Sequence, residues 1–121
     1  MLNGARILVA EDEPLIAMEL GQTIVDAGGV VAASARSYHE ALAHAEQAEL
    51  DAAVLDIRLR DGSTFAVATL LAGKGIPFLF CTADTENHAQ FAAWPGVPLV
   101  AKPHVPAVII DTLIRLLQNR S

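Results

Sequence analysis

Apolar residues fall into two alternating kinds of stretch along this chain. Some are short unbroken runs, and in others apolar positions return every three or four residues. Residues 6–10, 30–35, 52–57, 77–82 and 97–101 are of the first kind. Short apolar runs rich in branched residues read as buried strands. Helical stretches lie between them. Pro14 suits a first helical position, because the N–H it lacks would be unpaired there anyway. Ile16, Leu20 and Ile24 follow at helical spacing, and Gly28-Gly29 stops that helix. Ser37-Tyr38-His39-Glu40 has capping-box spacing and opens a helix to about Ala48. After a turn-rich loop at 58–63, a third helix runs from about Thr64 to Ala72 and ends at Gly73-Lys74-Gly75. Asp84 can cap a fourth over residues 85–94, whose pattern is the poorest in the chain. Pro106 opens the last, to about Asn119. Five strands alternating with five helices predict an α/β domain with a parallel sheet and helices on both faces. No further repeat, linker or low-complexity segment interrupts it, so residues 1–121 read as one domain.

The strand ends carry the chemistry. Strand one ends in Glu11 and Asp12, strand three in Asp56, strand four in Thr82 and strand five in Lys102. Taken alone, Asp56 is as readily a turn residue. If all strands run parallel, however, these ends share one rim, where open α/β sheets bind ligands. Three carboxylates brought together repel and tend to take up protons unless counter-charge is present. Lys102 supplies one positive charge, and a hard divalent cation supplies two. Oxygen-only ligands suit Mg²⁺, which shares carboxylates with phosphate. A carboxylate, Mg²⁺, a hydroxyl and a lysine around one position make a phosphoryl-transfer site, in which positioning and charge neutralisation do most of the work.

Composition narrows the classes. The hydrophobic fraction is 53%, but 22 of those residues are Ala, so the core is adequate rather than large. Net charge is −6, from 14 acids and 8 bases, with no Lys/Arg cluster. That argues against nucleic-acid binding, which rests on neutralising phosphates. The longest uncharged run, 87–101, is broken by Pro95, Gly96 and Pro98, so no membrane span is expected. The first residues show no basic-then-apolar leader. The single Cys81 excludes an intrachain disulfide and a thiolate zinc cluster, and we expect a reducing, cytoplasmic setting.

Together, Glu11-Asp12, Asp56, Asp61-Gly62, Thr82 and Lys102-Pro103, each at or just after a strand end, resemble the response-regulator receiver domain of two-component signalling over the full chain. The resemblance implies a flavodoxin-like fold with sheet order 2-1-3-4-5. It implies that Asp56 accepts a phosphoryl group from a phosphohistidine. The donor would be a sensor histidine kinase or a histidine phosphotransfer protein. Glu11, Asp12, Asp56 and the backbone carbonyl of Arg58 correspond to the family's Mg²⁺ ligands. Thr82 corresponds to the hydroxyl that moves to the phosphoryl oxygen, and Lys102 to the ammonium that pairs with it. Pro103 corresponds to a residue whose peptide bond after that lysine is often cis. Phosphorylation adds roughly −1.5 to −2 charge and would draw Thr82 and Lys102 with their loops. The domain would catalyse only its own phosphorylation and dephosphorylation. It would signal by protein contacts to an unnamed downstream protein, either as a stand-alone receiver or as part of a longer regulator or hybrid kinase.

Two departures stand out. Many members carry an aromatic switch residue three positions before the lysine, where this chain has Leu99, and Arg60 replaces a frequent proline. Residues 75–82 also resemble the Pro-Phe-x-Phe-Ala-Thr-Gly-Tyr signature of an alphaproteobacterial, mostly single-domain subclass, departing at Cys81, Ala83 and Asp84. That subclass often has a poorly formed fourth helix and partner kinases of the HWE type.

Other features read as structural. His39 and His44 are five apart, not the four of a zincin helix, and read as a solvated face. His88 and His104 read as surface residues, Cys81 as a small buried hydrophobe and Trp94 as a packing anchor. Gly73-Lys74-Gly75 lacks P-loop spacing. In the last helix Val105, Ile109, Leu113 and Leu116 form a core face, and Ile110, Ile114 and Leu117 widen it. The wide arc is either packed under neighbours or a homodimer or partner surface. Two other readings remain open: a binding module of the same fold that no longer phosphorylates, with Leu99 as its support, and an aspartyl hydrolase. The hydrolase lacks its usual second acid, because Arg58 stands two residues after Asp56.

Overall fold

In the computed structural model, which describes residues 1–83 and 91–120, the expected alternation holds. β1 (Arg6–Ala10) leads to α1 (Pro14–Asp26), and β2 (Val30–Ala35) to α2 (Tyr38–Gln47). β3 (Ala52–Asp56) is followed by a short hairpin, β4 (Arg58–Leu59) and β5 (Gly62–Ser63), and then α3 (Phe65–Gly73). β6 (Phe78–Thr82), β7 (Leu99–Ala101) and α4 (Pro106–Asn119) complete the order. The main sheet runs β2-β1-β3-β6-β7, with each neighbouring pair parallel. Leaving out the hairpin strands, this is the 2-1-3-4-5 order. The chain leaves β1 for one side of the sheet and returns on the other at β3. A crevice therefore opens between the carboxyl ends of β1 and β3, the switch point of such folds.

Burial explains the solid strand patterns. Ala52, Ala53, Val54 and Leu55 of β3 are fully buried, because helices cover both faces of the sheet. On one face, Leu8, Leu55 and Phe80 pack with Ala41 and Ala45 of α2 and Val67, Ala68 and Leu71 of α3. On the other, Ile7, Val9, Val54 and Leu79 pack with Leu20 and Ile24 of α1 and Ile109 and Leu113 of α4. Each fully buried branched side chain contributes about 1.5–3 kcal/mol, so two continuous clusters suffice for a domain rich in alanine.

Local signals also hold. Pro14 and Pro106 open their helices. The Ser37 hydroxyl accepts from the Glu40 amide at 3.1 Å, the forward half of the capping box. Gly28, at φ +87°, ends the α1 turn.

Three expectations change. The loop at 58–63 is a hairpin, pairing Arg58 with Ser63 and Leu59 with Gly62. Gly62 has φ +146°, and a Cβ there would meet the Tyr38 ring at 3.2 Å. The expected fourth helix, 85–94, falls largely outside the described residues. Its described end, 91–94, is a turn in which the Trp94 amide donates to the Phe91 carbonyl at 2.9 Å. The wide apolar arc of the last helix faces inward in large part, since Ile110, Ile114, Leu116 and Leu117 are partly buried against the second cluster. Val105, expected on the core face, is instead exposed just ahead of the helix, as is Val108 in its first turn. Among the described residues, no helix is long and apolar enough to cross a membrane.

Candidate functional site

Three parallel strands and the loops that follow them bring the charged residues to one rim. Glu11 follows β1, held by its amide donating to the Ala35 carbonyl at 2.9 Å. Asp56 ends β3 beside Cys81 of β6, in register. Thr82 ends β6 and is buried. The Lys102 amide donates to the Thr82 carbonyl at 3.0 Å, which fixes where the lysine leaves β7. The Lys102–Pro103 bond is cis, as the resemblance implied.

Side chains converge from there. Lys102 Nζ donates to Asp56 Oδ2 at 2.8 Å and lies 3.0 Å from Glu11 Oε1. These groups are shielded: side-chain exposure is 17% for Lys102, 12% for Asp56 and 1% for Glu11. Carboxylate oxygens of Glu11, Asp12 and Asp56 all lie within 4.8 Å of one another. Burial opposes the charge on Lys102, but its bonds to Asp56 and Glu11 prevail and raise its pKa above the ordinary lysine value. Asp12 is pushed up by partial burial and by the neighbouring Glu11 carboxylate. Cys81, beneath the site, is pushed up to about 12 by burial and then by Asp56, so it stays a thiol and behaves as the small hydrophobe expected.

The donor set fits a magnesium ion. All of its atoms are carboxylate oxygens, the ligand type that a hard divalent cation such as Mg²⁺ takes. Glu11 Oε1 supports this reading. It is buried, and among the described residues its polar contact is the Lys102 ammonium at 3.0 Å, which it shares with Asp56. One ammonium faces three carboxylates, and a divalent cation would supply the missing charge.

The family model described as the response regulator receiver domain matches residues 7–113. The chain belongs to that family. The receiver is 38% identical over 104 residues to the phyllosphere-induced regulator PhyR of Methylorubrum extorquens, covering 84% of this chain and 39% of that protein. It thus spans well under half the length of that relative. The crystal structure of PhyR from Brucella abortus superposes with a TM-score of 0.80 at 34% identity, covering 95% of this chain and 48% of that one. A response regulator receiver protein from Sinorhizobium medicae matches over the whole of both chains, with a TM-score of 0.87 and 25% identity.

The receiver rim gathers Glu11, Asp12, Asp56, Thr82 and Lys102, as the strand ends led us to expect. Arg58 stands two residues beyond Asp56, at the start of β4, with an exposed side chain. Two contacts and one burial were not read from the sequence. Thr64 is fully buried, and its hydroxyl donates to the Asp56 carbonyl at 2.7 Å, tying the loop down from below. Asp61 accepts from the Tyr38 amide at 2.7 Å and sits 2.7 Å from His39 Nδ1, pinning the hairpin to the start of α2. His39 is therefore exposed, as expected, but partnered. The third is His104, which is not a plain surface residue. Its Nε2 is buried with no hydrogen-bond partner among the described residues, and burial followed by nearby Lys102 lowers its pKa. His88 lies outside the described residues.

Proposed function

We propose that this receiver accepts a phosphoryl group on Asp56 from a phosphohistidine in a Mg²⁺-dependent reaction and signals through protein contacts. The observation that carries this reading is the Lys102 ammonium 2.8 Å from Asp56 Oδ2, on a rim that also holds the Glu11 and Asp12 carboxylates. Lys102 occupies Oδ2, which leaves Oδ1 to attack. The Oδ1–P bond forms as the P–N bond to the donor imidazole breaks, and the imidazole nitrogen keeps the electron pair. Glu11, Asp12, Asp56 and the Arg58 carbonyl would hold Mg²⁺. When bound, the ion neutralises charge on the phosphoryl oxygens. Lys102 then follows the new charge, exchanging its carboxylate partners for a phosphoryl oxygen. The Thr82 hydroxyl, at the end of β6, donates to another. Hydrolysis of the acyl phosphate returns Asp56 to its starting state, so the only catalysis is on the domain itself.

The donor is a sensor histidine kinase, of the HWE type if the strand-four resemblance holds, or a histidine phosphotransfer protein. Partners are proteins, not nucleic acid or membrane, and the setting is cytoplasmic. A related Bartonella quintana PhyR carries the description anti-anti-sigma factor, at 29% identity and over a chain of which this one spans 48%. A homodimer through the last helix would rest on Val105 and Val108, and sedimentation with and without phosphodonor tests it.

The deciding experiment is incubation with acetyl phosphate and Mg²⁺, followed by intact mass. We expect one added phosphoryl in the parent chain and none in Asp56→Ala. An unmodified parent would favour the non-phosphorylating binding module, for which Leu99 speaks.

A further inference from the structure

Leu99 offers no ring to swing, yet the residues around it form an aromatic cluster that reaches away from the site. Phe80 pairs with Leu99 across β6 and β7, and it lies two residues before Thr82, on the same face of the strand. It is fully buried and touches four other rings: Phe78 edge-on at 5.5 Å, Phe65 edge-on at 5.6 Å, Phe91 tilted at 5.7 Å and Trp94 edge-on at 6.1 Å. Phe65 also meets Phe91 at 6.4 Å and Trp94 at 6.3 Å. Trp94 reaches Phe78 at 5.7 Å, at the amino end of β6.

Two inputs from the rim enter this cluster. One is Thr82, through the strand it shares with Phe80. The other is Asp56, whose carbonyl takes the Thr64 hydroxyl bond at 2.7 Å, next to Phe65. One outlet leaves it. The Trp94 amide donates to Phe91 and the Val97 amide to Trp94, so these residues hold together, and the Phe80 amide ties the unit to β6 through the Pro98 carbonyl at 3.0 Å. Trp94 lines a groove of about 380 Å³ with Ile76, Pro77 and Pro95. Closely packed rings exchange between discrete arrangements rather than sliding, and such clusters turn small shifts into larger ones.

We propose that the Phe65–Phe80–Phe91–Trp94 cluster carries the phosphorylation signal from Thr82 and the Asp56 loop to residues 91–98, in place of a switch at position 99. This rests on Asp56 being the phospho-acceptor. Phe78 and Thr82 are four residues apart, so the Trp94 end of the cluster is about 13 Å along the strand from the site.

Trp94 is the single tryptophan, so emission reports that place alone. Acetyl phosphate with Mg²⁺ should shift Trp94 emission in the parent chain in step with the phosphoryl added by mass, with Mg²⁺ alone and Asp56→Asn giving no shift. Phe91→Leu should take up phosphoryl to the same extent by mass and lose the emission shift. Leu99→Val should keep it. Full phosphorylation by mass with unchanged emission overturns the cluster and leaves the phospho-acceptor reading standing. An emission shift kept by Phe91→Leu but lost in Leu99→Val also overturns the cluster. No added phosphoryl overturns the phospho-acceptor reading, and the cluster proposal with it. The parent measurement needs no variant to fold.

Discussion

At the carboxyl ends of the strands, Glu11, Asp12 and Asp56 crowd around one ammonium. At the amino ends, Asp51 sits among donors that satisfy it. It accepts from the Arg6 amide at 2.8 Å and from Arg120 Nη1 at 3.0 Å. The two rims shift their aspartates in opposite directions. Partial burial and Glu11 raise Asp12, whereas the Arg6 amide and then Arg120 lower Asp51 against the pull of burial. The amino rim is electrostatically relaxed and joins the last helix to β3. The carboxyl rim is left with excess negative charge, which an incoming cation and phosphoryl group can use. Perturbed acids cluster at functional sites, where burial and like charges are brought together.

The largest test of that contrast removes Lys102, the cation of the site among the described residues. Lys102→Met leaves Glu11, at 1% exposure, without its ion partner. Breaking a buried pair from one side costs about 3 kcal/mol or more. We expect a loss of that order in urea unfolding with chelator present, and a partial recovery in Mg²⁺. Unchanged stability would mean the rim carries no such strain.

Magnesium should distinguish the rims next. A ligand at a hundred times its Kd stabilises by about 2.7 kcal/mol. The parent and Asp51→Asn should both gain stability in saturating Mg²⁺, and Asp12→Asn should gain little. An equal gain in all three would place the ion elsewhere.

The carboxyl rim was readable from the sequence because it is built from strand ends. Once the strands at 6–10, 52–57, 77–82 and 97–101 are parallel, Glu11, Asp56, Thr82 and Lys102 must meet. The hydrophobic periods gave those strands, and the sheet order came from the family. The supports were not readable. Asp61 meets His39 across 22 residues and Thr64 meets Asp56 across 8, and no local pattern specifies such pairs. The hairpin at 58–63 was hidden because strands of two residues leave no alternation to detect. The wide arc of the last helix was ambiguous for a different reason: periodicity shows how broad an apolar face is, not what lies over it. His104 read as exposed because a lone histidine carries no burial signal.

The sign of the pH dependence should differ between the rims. A raised folded pKa makes a group's stabilising contribution complete below its usual 3.8 and lost as pH rises through the folded value. Without metal, Asp12→Asn should therefore be more stable than the parent at pH 7, with the gap closing below about pH 3.8. Asp51 works the other way: its contribution is present above 3.8 and lost as pH falls through its lowered value. Thermal midpoints across pH in chelator measure both, and parallel curves would erase the contrast.

The smallest effect belongs to the amino rim. Arg120→Ala removes the ion pair but leaves the Arg6 amide on Asp51. Asp51 and Arg120 are both substantially solvent-exposed, and exposed pairs contribute less than about 1 kcal/mol. The expected loss is of that size and should shrink in 1 M salt, where the screening length is about 3 Å. It should also ignore Mg²⁺, because the cation belongs to the other rim. A loss of several kcal/mol that persists in salt would show that the amino rim stores as much electrostatic energy as the site. The charge imbalance at Glu11, Asp12 and Asp56 would then be no mark of function.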